Sequence, residues 1–248
     1  MTGPDDRFSV PGDFDDFWRP AHWGARLGGN QLGRMFIGVL LAALAWSPVA
    51  NLWLPSETWV PANFALAALL VAAARTKGLS WEELGMRSDR LARGLAVGTA
   101  AATVVIFVLA IAVAWPATRG FFDDAQIAAD TVGSRVFNPL VRIPLGTVVL
   151  EETLFRSVLL ALALRRWSVA TAVLVTSALF GLWHIVPAAE SADDGLHVIL
   201  GSVAVTTAGG VLFAWLRLRA NSILAPTLAH FTTNSLSYLA AVIALQLH

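Results

Sequence analysis

Seven stretches of the chain are apolar for about the length of a membrane span, and polar or Pro/Gly-bearing breaks separate them. They run over residues 35–54, 58–74, 94–115, 138–164, 168–187, 195–216 and 222–246. A helix needs ~20 apolar residues to cross a ~30 Å hydrocarbon core. The pattern therefore predicts an all-α, polytopic transmembrane helical bundle of seven spans. The fourth stretch is long and begins around Pro139 and Pro144. It can be tilted, or split into a short segment plus a span, which would make eight. There is no internal repeat and no low-complexity segment. Residues 31–248 read as one membrane-embedded domain behind a polar, aromatic N-terminal segment, 1–30.

Composition agrees with the pattern. Hydrophobic residues make up 56% of the chain and charged residues only 14%, where a soluble domain carries about a quarter charged. The formal net charge is zero, which gives nucleic acid no electrostatic footprint to meet. With no cysteine, disulfides, thiolate metal ligands and cysteine nucleophiles are excluded together.

Asp5, Asp6, Asp13, Asp15 and Asp16 crowd the region where a signal peptide would be basic and then apolar, so the N-terminus is expected to be retained. Phe14, Phe17, Trp18 and Trp23 suit a segment lying on the membrane surface, or equally a partly disordered tail. With the N-terminus inside, the inner segments hold Arg7, Arg19, Arg26, Arg34, Arg75, Lys77, Arg87, Arg90, Arg93, Arg165, Arg166, Arg217 and Arg219; the outer ones hold Arg119, Arg135 and Arg142. The positive-inside rule then expects a multi-pass protein of a bacterial cytoplasmic membrane with a cytoplasmic N-terminus. Outer loops are acidic: Glu57, Asp123, Asp124, Asp130, Glu190, Asp193 and Asp194. Ser80-Trp81-Glu82-Glu83-Leu84-Gly85 opens with a cap residue and has acids in its first turn, which predicts a short interfacial helix with solvated acids.

An ionisable group inside a span is costly and usually faces the protein interior. Those inside the spans are Glu151, Glu152, Arg156, His184 and His230, with the amide Asn234 beside them. His22, His197 and His248 fall near span ends or in tails, where solvation is the default. Helical spacing makes Glu152 and Arg156 neighbours, so the expected role of that pair is structural. Glu151 points about 100° away with no basic partner on its own helix. His230 and Asn234 share a face, and His184 lies one turn from Phe180. At ~1.5 Å per residue, Glu151, His184, His230 and Asn234 fall about 20, 24, 12 and 18 Å from the inner ends of their spans. The four can meet in one cavity, although periodicity does not show that their helices are adjacent. Gly201, Gly209, Gly210, Ala225 and Ala229 are small enough to let the late helices approach closely.

A buried carboxylate can act as general base toward water. One histidine can share the proton, and a second histidine with an amide can donate to a developing oxyanion. That set suffices to hydrolyse a peptide bond. Glu151, His184 and His230 could equally bind Zn²⁺ with water in the open position. The residues alone do not separate the two chemistries.

These residues form three ordered motifs: Glu151-Glu152-Thr153-Leu154-Phe155-Arg156, Phe180-Gly181-Leu182-Trp183-His184 and His230-Phe231-Thr232-Thr233-Asn234, the last preceded by Asn221-Ser222-Ile223-Leu224-Ala225-Pro226. Each is weak alone; in this order on successive apolar spans they resemble the CPBP family of intramembrane proteases, which includes the Rce1-like CAAX proteases and the bacterial Abi relatives. The resemblance covers about residues 145–240, within a motif-bearing core of 138–246. It implies an endopeptidase acting on a membrane-associated peptide or lipidated protein. Glu151 would be the water-activating base assisted by His184, with His230 and Asn234 stabilising the oxyanion. Glu152, Arg156 and Phe180 would support them. The family has been described both as metalloproteases and as metal-free glutamate proteases; Asn234 suits an oxyanion hole better than a metal shell.

Other hydrolase classes lack their signatures. There is no HExxH for a zinc protease and no GxGD for an aspartyl type. Gly201-Ser202 and Gly133-Ser134 lack a serine-protease context, and Asp123-Asp124 reads as a solvated acidic loop. Two readings from other classes stay open: a non-catalytic membrane scaffold or bacteriocin-immunity partner, and a small transporter with a proton relay, against which no inverted repeat is visible.

Overall fold

The computed structural model describes residues 29–122, 125–191 and 195–247. The N-terminal segment before residue 29, the acidic pairs Asp123–Asp124 and Asp193–Asp194, and His248 lie outside the described residues. Among those described, regular structure is entirely helical.

Helix α1 runs over Gly29–Pro48 and continues through a π turn, Val49–Trp53. It is followed by α2, Trp59–Thr76, and α3, Leu91–Ala114. Short helices occupy Pro116–Arg119, Ala125–Ala129 and Val132–Phe137. Then comes α4, a continuous run over 138–164. It is followed by α5, Val169–Trp183, α6, Ile185–Ser191, α7, Leu196–Ala220, and α8, Leu224–Ala244. Each predicted apolar stretch contains a helix. Among the described residues, five helices are long and apolar enough to cross a membrane by length and composition: α1, α2, α3, α5 with α6, and α7. The two others, α4 and α8, carry the motifs. Polar side chains lower the hydropathy of both, Glu151, Glu152 and Arg156 in one and His230, Thr232, Thr233, Asn234 and Ser235 in the other. A helix enclosed by protein needs no apolar face toward lipid. Helix α4 is such a helix, with every residue from 150 to 164 buried.

Helix α4 is not split at its prolines. Pro139 and Pro144 lie inside a π-helical segment, Asn138–Val148, where the amide of Val149 donates to the carbonyl of Pro144 five residues back. After one α turn, Val149–Glu151, a second π segment covers Glu152–Leu159. Wide π turns of this kind recur at functional sites.

Close approaches fix the neighbours of α4. A Cβ on Gly181 of α5 would stand 2.7 Å from the Val203 carbonyl oxygen of α7, and one on Gly210 would stand 3.0 Å from Ser177 Cα. Helix α8 lies along α3, where a Cβ on Gly98 would come within 3.1 Å of the Ala225 backbone. Of the small residues expected to permit packing, Gly210, Ala225 and Ala229 do so. Gly201 does not: nothing lies within 4 Å of its Cβ position, and Gly209 meets only the Phe213 ring at 3.9 Å.

One end of the bundle is closed by the loop between α2 and α3. The expected helix there is a single turn ended by Gly85 at φ 71°. Ser80 and Glu83 form a capping box: Ser80 N and Oγ donate to Glu83 Oε2 at 2.7 and 2.8 Å, and Glu83 N donates to Ser80 Oγ at 3.2 Å. Solvation was the expectation for these acids, but Glu83 has a side chain only 2% exposed. The reason is Arg165, at the end of α4, whose guanidinium donates to both Glu83 carboxylate oxygens at 2.6 and 2.8 Å. Burial pushes the Glu83 carboxyl up, yet bonds from Arg165 and Ser80, with the Arg165 charge, hold it below its usual value. Beneath the turn, Arg217 of α7 donates to the Glu83 carbonyl at 2.9 Å. Ser157 of α4 donates to the Leu84 carbonyl at 2.8 Å.

Candidate active site

Glu151 and Glu152 sit at the junction of an α turn and a π turn in the middle of α4. Both reach one imidazole. The His230 Nδ1–H of α8 donates to Glu152 Oε1 at 2.8 Å, and His230 Nε2 lies 3.6 Å from Glu151 Oε2. A carboxylate only accepts, so the Glu152 contact places the proton on Nδ1 and leaves Nε2 an acceptor. The Asn234 amide, one turn along α8, donates to Nε2 at 3.1 Å. His230 thus links Glu152 to Asn234.

His184 caps the end of α5 at the break before α6, within the candidate span Val169–Glu190 that the two helices make together. Its Nδ1 lies 2.8 Å from the Phe180 carbonyl oxygen, which can only accept, so Nδ1 carries the proton. In the neutral imidazole Nε2 is then an acceptor, and it faces Glu151 Oε1 at 4.0 Å.

Behind this pair lies a buried aromatic box. Arg156 stands 3.5 Å from Glu152 Oε1, as the spacing predicts. Its guanidinium lies over the Phe180 ring at 3.9 Å and near Phe213 at 5.2 Å. Phe180 meets His184 edge-on at 4.6 Å, and Phe213 stacks on His230 at 4.6 Å with an interplanar angle of 21°. The Glu152–Arg156 pair is therefore not isolated, since His230 shares its carboxylate. Such stacked, desolvated guanidinium–ring contacts contribute about 2 kcal/mol.

A cavity of 380 Å³ opens over the site. Glu151, His184 and Asn234 line it; His230, 3% exposed, stands behind them. Its wall also holds Asn63 of α2, whose amide donates to the Gly146 carbonyl of α4 at 2.5 Å and accepts from Trp46 Nε1 of α1 at 2.7 Å. These bonds attach the first two helices to the π segment that precedes Glu151.

Two contributors were missed from sequence. Asn63 is an amide inside an apolar span, the same signal that singles out Asn234. Phe213 gave no signal, being one apolar residue among many on α7.

A zinc site needs three protein ligands and an open position. Glu151 and His184 Nε2 face one another, but the third candidate, His230 Nε2, is occupied by the Asn234 amide. Among the described residues no group of three His, Cys, Asp or Glu side chains is arranged to hold a metal ion. The arrangement does not fit the group.

No curated protein matches the chain, and no solved structure does. Residues 133–236, the stretch that supplies every converging side chain of α4, α5, α7 and α8, match the family model for Rce1-like type II CAAX prenyl endopeptidases.

Proposed function

We propose that the chain is an intramembrane endopeptidase that hydrolyses a peptide bond of a membrane-associated polypeptide with water activated between Glu151 and His184. One observation carries this reading: Glu151 Oε1 and His184 Nε2, both acceptors, face each other at 4.0 Å on the floor of the cavity. A water ~2.8 Å from each donates to both and turns a lone pair toward the cavity. The water oxygen attacks the scissile carbonyl carbon as Glu151 takes its proton. The carbonyl oxygen becomes an oxyanion beside Asn234, whose second amide N–H is free to donate to it. As the C–N bond breaks, the Glu151 proton passes to the leaving amine. His230 holds Asn234 in place and is itself held by Glu152, which Arg156 pairs.

In this reading the step needs no metal. Helices α4 and α8 cross the membrane with the five apolar ones, and residues 31–248 act as one domain in a bacterial cytoplasmic membrane.

The test is cleavage of a quenched peptide library, prenylated members included, by the purified protein in detergent. Glu151→Gln and His184→Ala should each lower kcat by about 10²–10⁴, the usual share of a general base. Chelator should leave the wild type unchanged; inhibition that Zn²⁺ reverses would replace the metal-free step. No cleavage by folded wild type would leave a non-catalytic partner role.

A further inference from the structure

The two ends of the bundle differ in access and in charge. At the cavity end, Asn51, Trp59 and Pro187 are partly exposed and Glu190 is exposed, while the floor, Leu150, Glu151 and Trp183, is buried. At the other end the site is sealed. Leu154, Phe155 and Val158 lie below Glu151 at no more than 1% exposure, and Leu79 and Leu84 of the capping turn are at 0%. The turn is bolted down by Arg165 on Glu83, Ser157 on Leu84 and Arg217 on the Glu83 carbonyl. A second, larger cavity of 630 Å³ lies toward the sealed end, but it is lined by the Val149 and Thr153 face of α4 and touches none of the site residues.

Charge follows the same division. Among the described residues, Arg34, Arg75, Lys77, Arg87, Arg90, Arg93, Arg165, Arg166, Arg217 and Arg219 belong to the sealed end. Arg119, Arg135 and Arg142 belong to the cavity end, where Glu57, Asp130 and Glu190 also lie. Basic residues stay on the cytoplasmic side of a membrane protein.

We propose that the sealed end is cytoplasmic and that the cavity receives its substrate from the opposite side. The substrate class is then a membrane-anchored polypeptide whose scissile bond lies on the extracytoplasmic side. A tail presented from the cytoplasm meets the clamped turn instead of Glu151. The cleavage half of this proposal rests on the endopeptidase reading; the sidedness half does not.

The chain has no cysteine, so single thiols report without background. Asn51→Cys and Glu190→Cys mark the mouth, and Lys77→Cys and Arg166→Cys mark the sealed end. Intact cells with a permeabilised outer layer are treated with a membrane-impermeant maleimide, which needs a water-exposed thiolate. Mouth thiols should label as fully in intact cells as after lysis, and sealed-end thiols only after lysis. The reverse pattern, or mouth thiols that label only after lysis, overturns the proposal. A second arm places one library-selected cleavage segment on either side of a single-span anchor. Cleavage confined to the extracytoplasmic segment supports the proposal, and cleavage of the cytoplasmic one refutes it. Cleavage of neither, with mouth thiols labelled from outside, sinks the peptidase reading and its substrate class while the sidedness stands.

Discussion

Replacing Arg156 by methionine removes the charge and keeps most of the volume. Arg156 and Glu152 have side chains 2% and 1% exposed, and the guanidinium is the nearest fixed cation to Glu152 at 3.5 Å. The variant leaves a buried carboxylate with only the His230 N–H at 2.8 Å. Breaking a buried pair from one side costs about 3–5 kcal/mol. Loss of the contact with the Phe180 face, at 3.9 Å, is offset in part by sulfur–aromatic contacts of about 1 kcal/mol. For a chain of this length, each kcal/mol moves an unfolding midpoint about 2–4 °C, so the expected drop is roughly 6–20 °C. Glu152→Gln should destabilise comparably by leaving the guanidinium unpaired.

The double variant should return to within about 1–2 kcal/mol of wild type, because both charges are gone and His230 keeps a carbonyl acceptor. The assay is a double-mutant cycle on thermal unfolding in detergent at fixed scan rate. A coupling of at least about 4 kcal/mol is expected, above the usual range for residues in contact because each single variant leaves a buried charge unpaired. Arg156→Met melting with the wild type, or a double variant as unstable as the two losses summed, would refute the claim that the pair is a desolvated unit.

Two further outcomes follow from the packing and the sealed end. Gly181→Ala should destabilise by about 1–3 kcal/mol, since its Cβ must push α7 aside, whereas Gly201→Ala should melt with the wild type; equal midpoints would remove the argument for close approach. The Glu83 carboxyl is held below its ordinary 4.5, so its contribution is full above that value and is lost as pH falls through the depressed one; the midpoint should fall with acidification below 4.5 in wild type and less steeply in Glu83→Gln, and parallel curves would deny the linkage.

Much of the site was legible because an ionisable residue in an apolar stretch is conspicuous. Glu151, Glu152, Arg156, His184 and His230 stood out on that ground alone, and spacing placed Arg156 beside Glu152. What spacing missed came from backbone and from context. An ideal α-helix sends Glu151 and Glu152 about 100° apart, yet at the π junction both carboxylates bracket His230. Glu83 looked like a surface acid because its partner, Arg165, is 82 residues away. The span count suffered from the same logic that revealed the site. The polar residues that mark α4 and α8 as functional also remove them from a hydropathy count, leaving five helices that qualify by composition.

The buried carboxylates of the two polar clusters differ in a way that separates support from chemistry. At the sealed end, Glu83 is saturated: four donors from Ser80 and Arg165 converge on its two oxygens. In the site, Glu151 Oε2, Glu152 Oε2 and both terminal nitrogens of Arg156 are buried without a hydrogen-bond partner in the protein. Each such group in a dry interior costs about 1–3 kcal/mol and more when charged. A fold able to saturate one carboxylate so fully tolerates unsatisfied ones only where something else requires them. The orphaned Oε2 of Glu151 lies 3.6 Å from His230 Nε2, while Oε1 of the same carboxylate faces His184 on the cavity floor, where a water and a peptide carbonyl would complete the contacts of the site. The charge left incomplete in the resting protein is the charge the proposed hydrolysis uses.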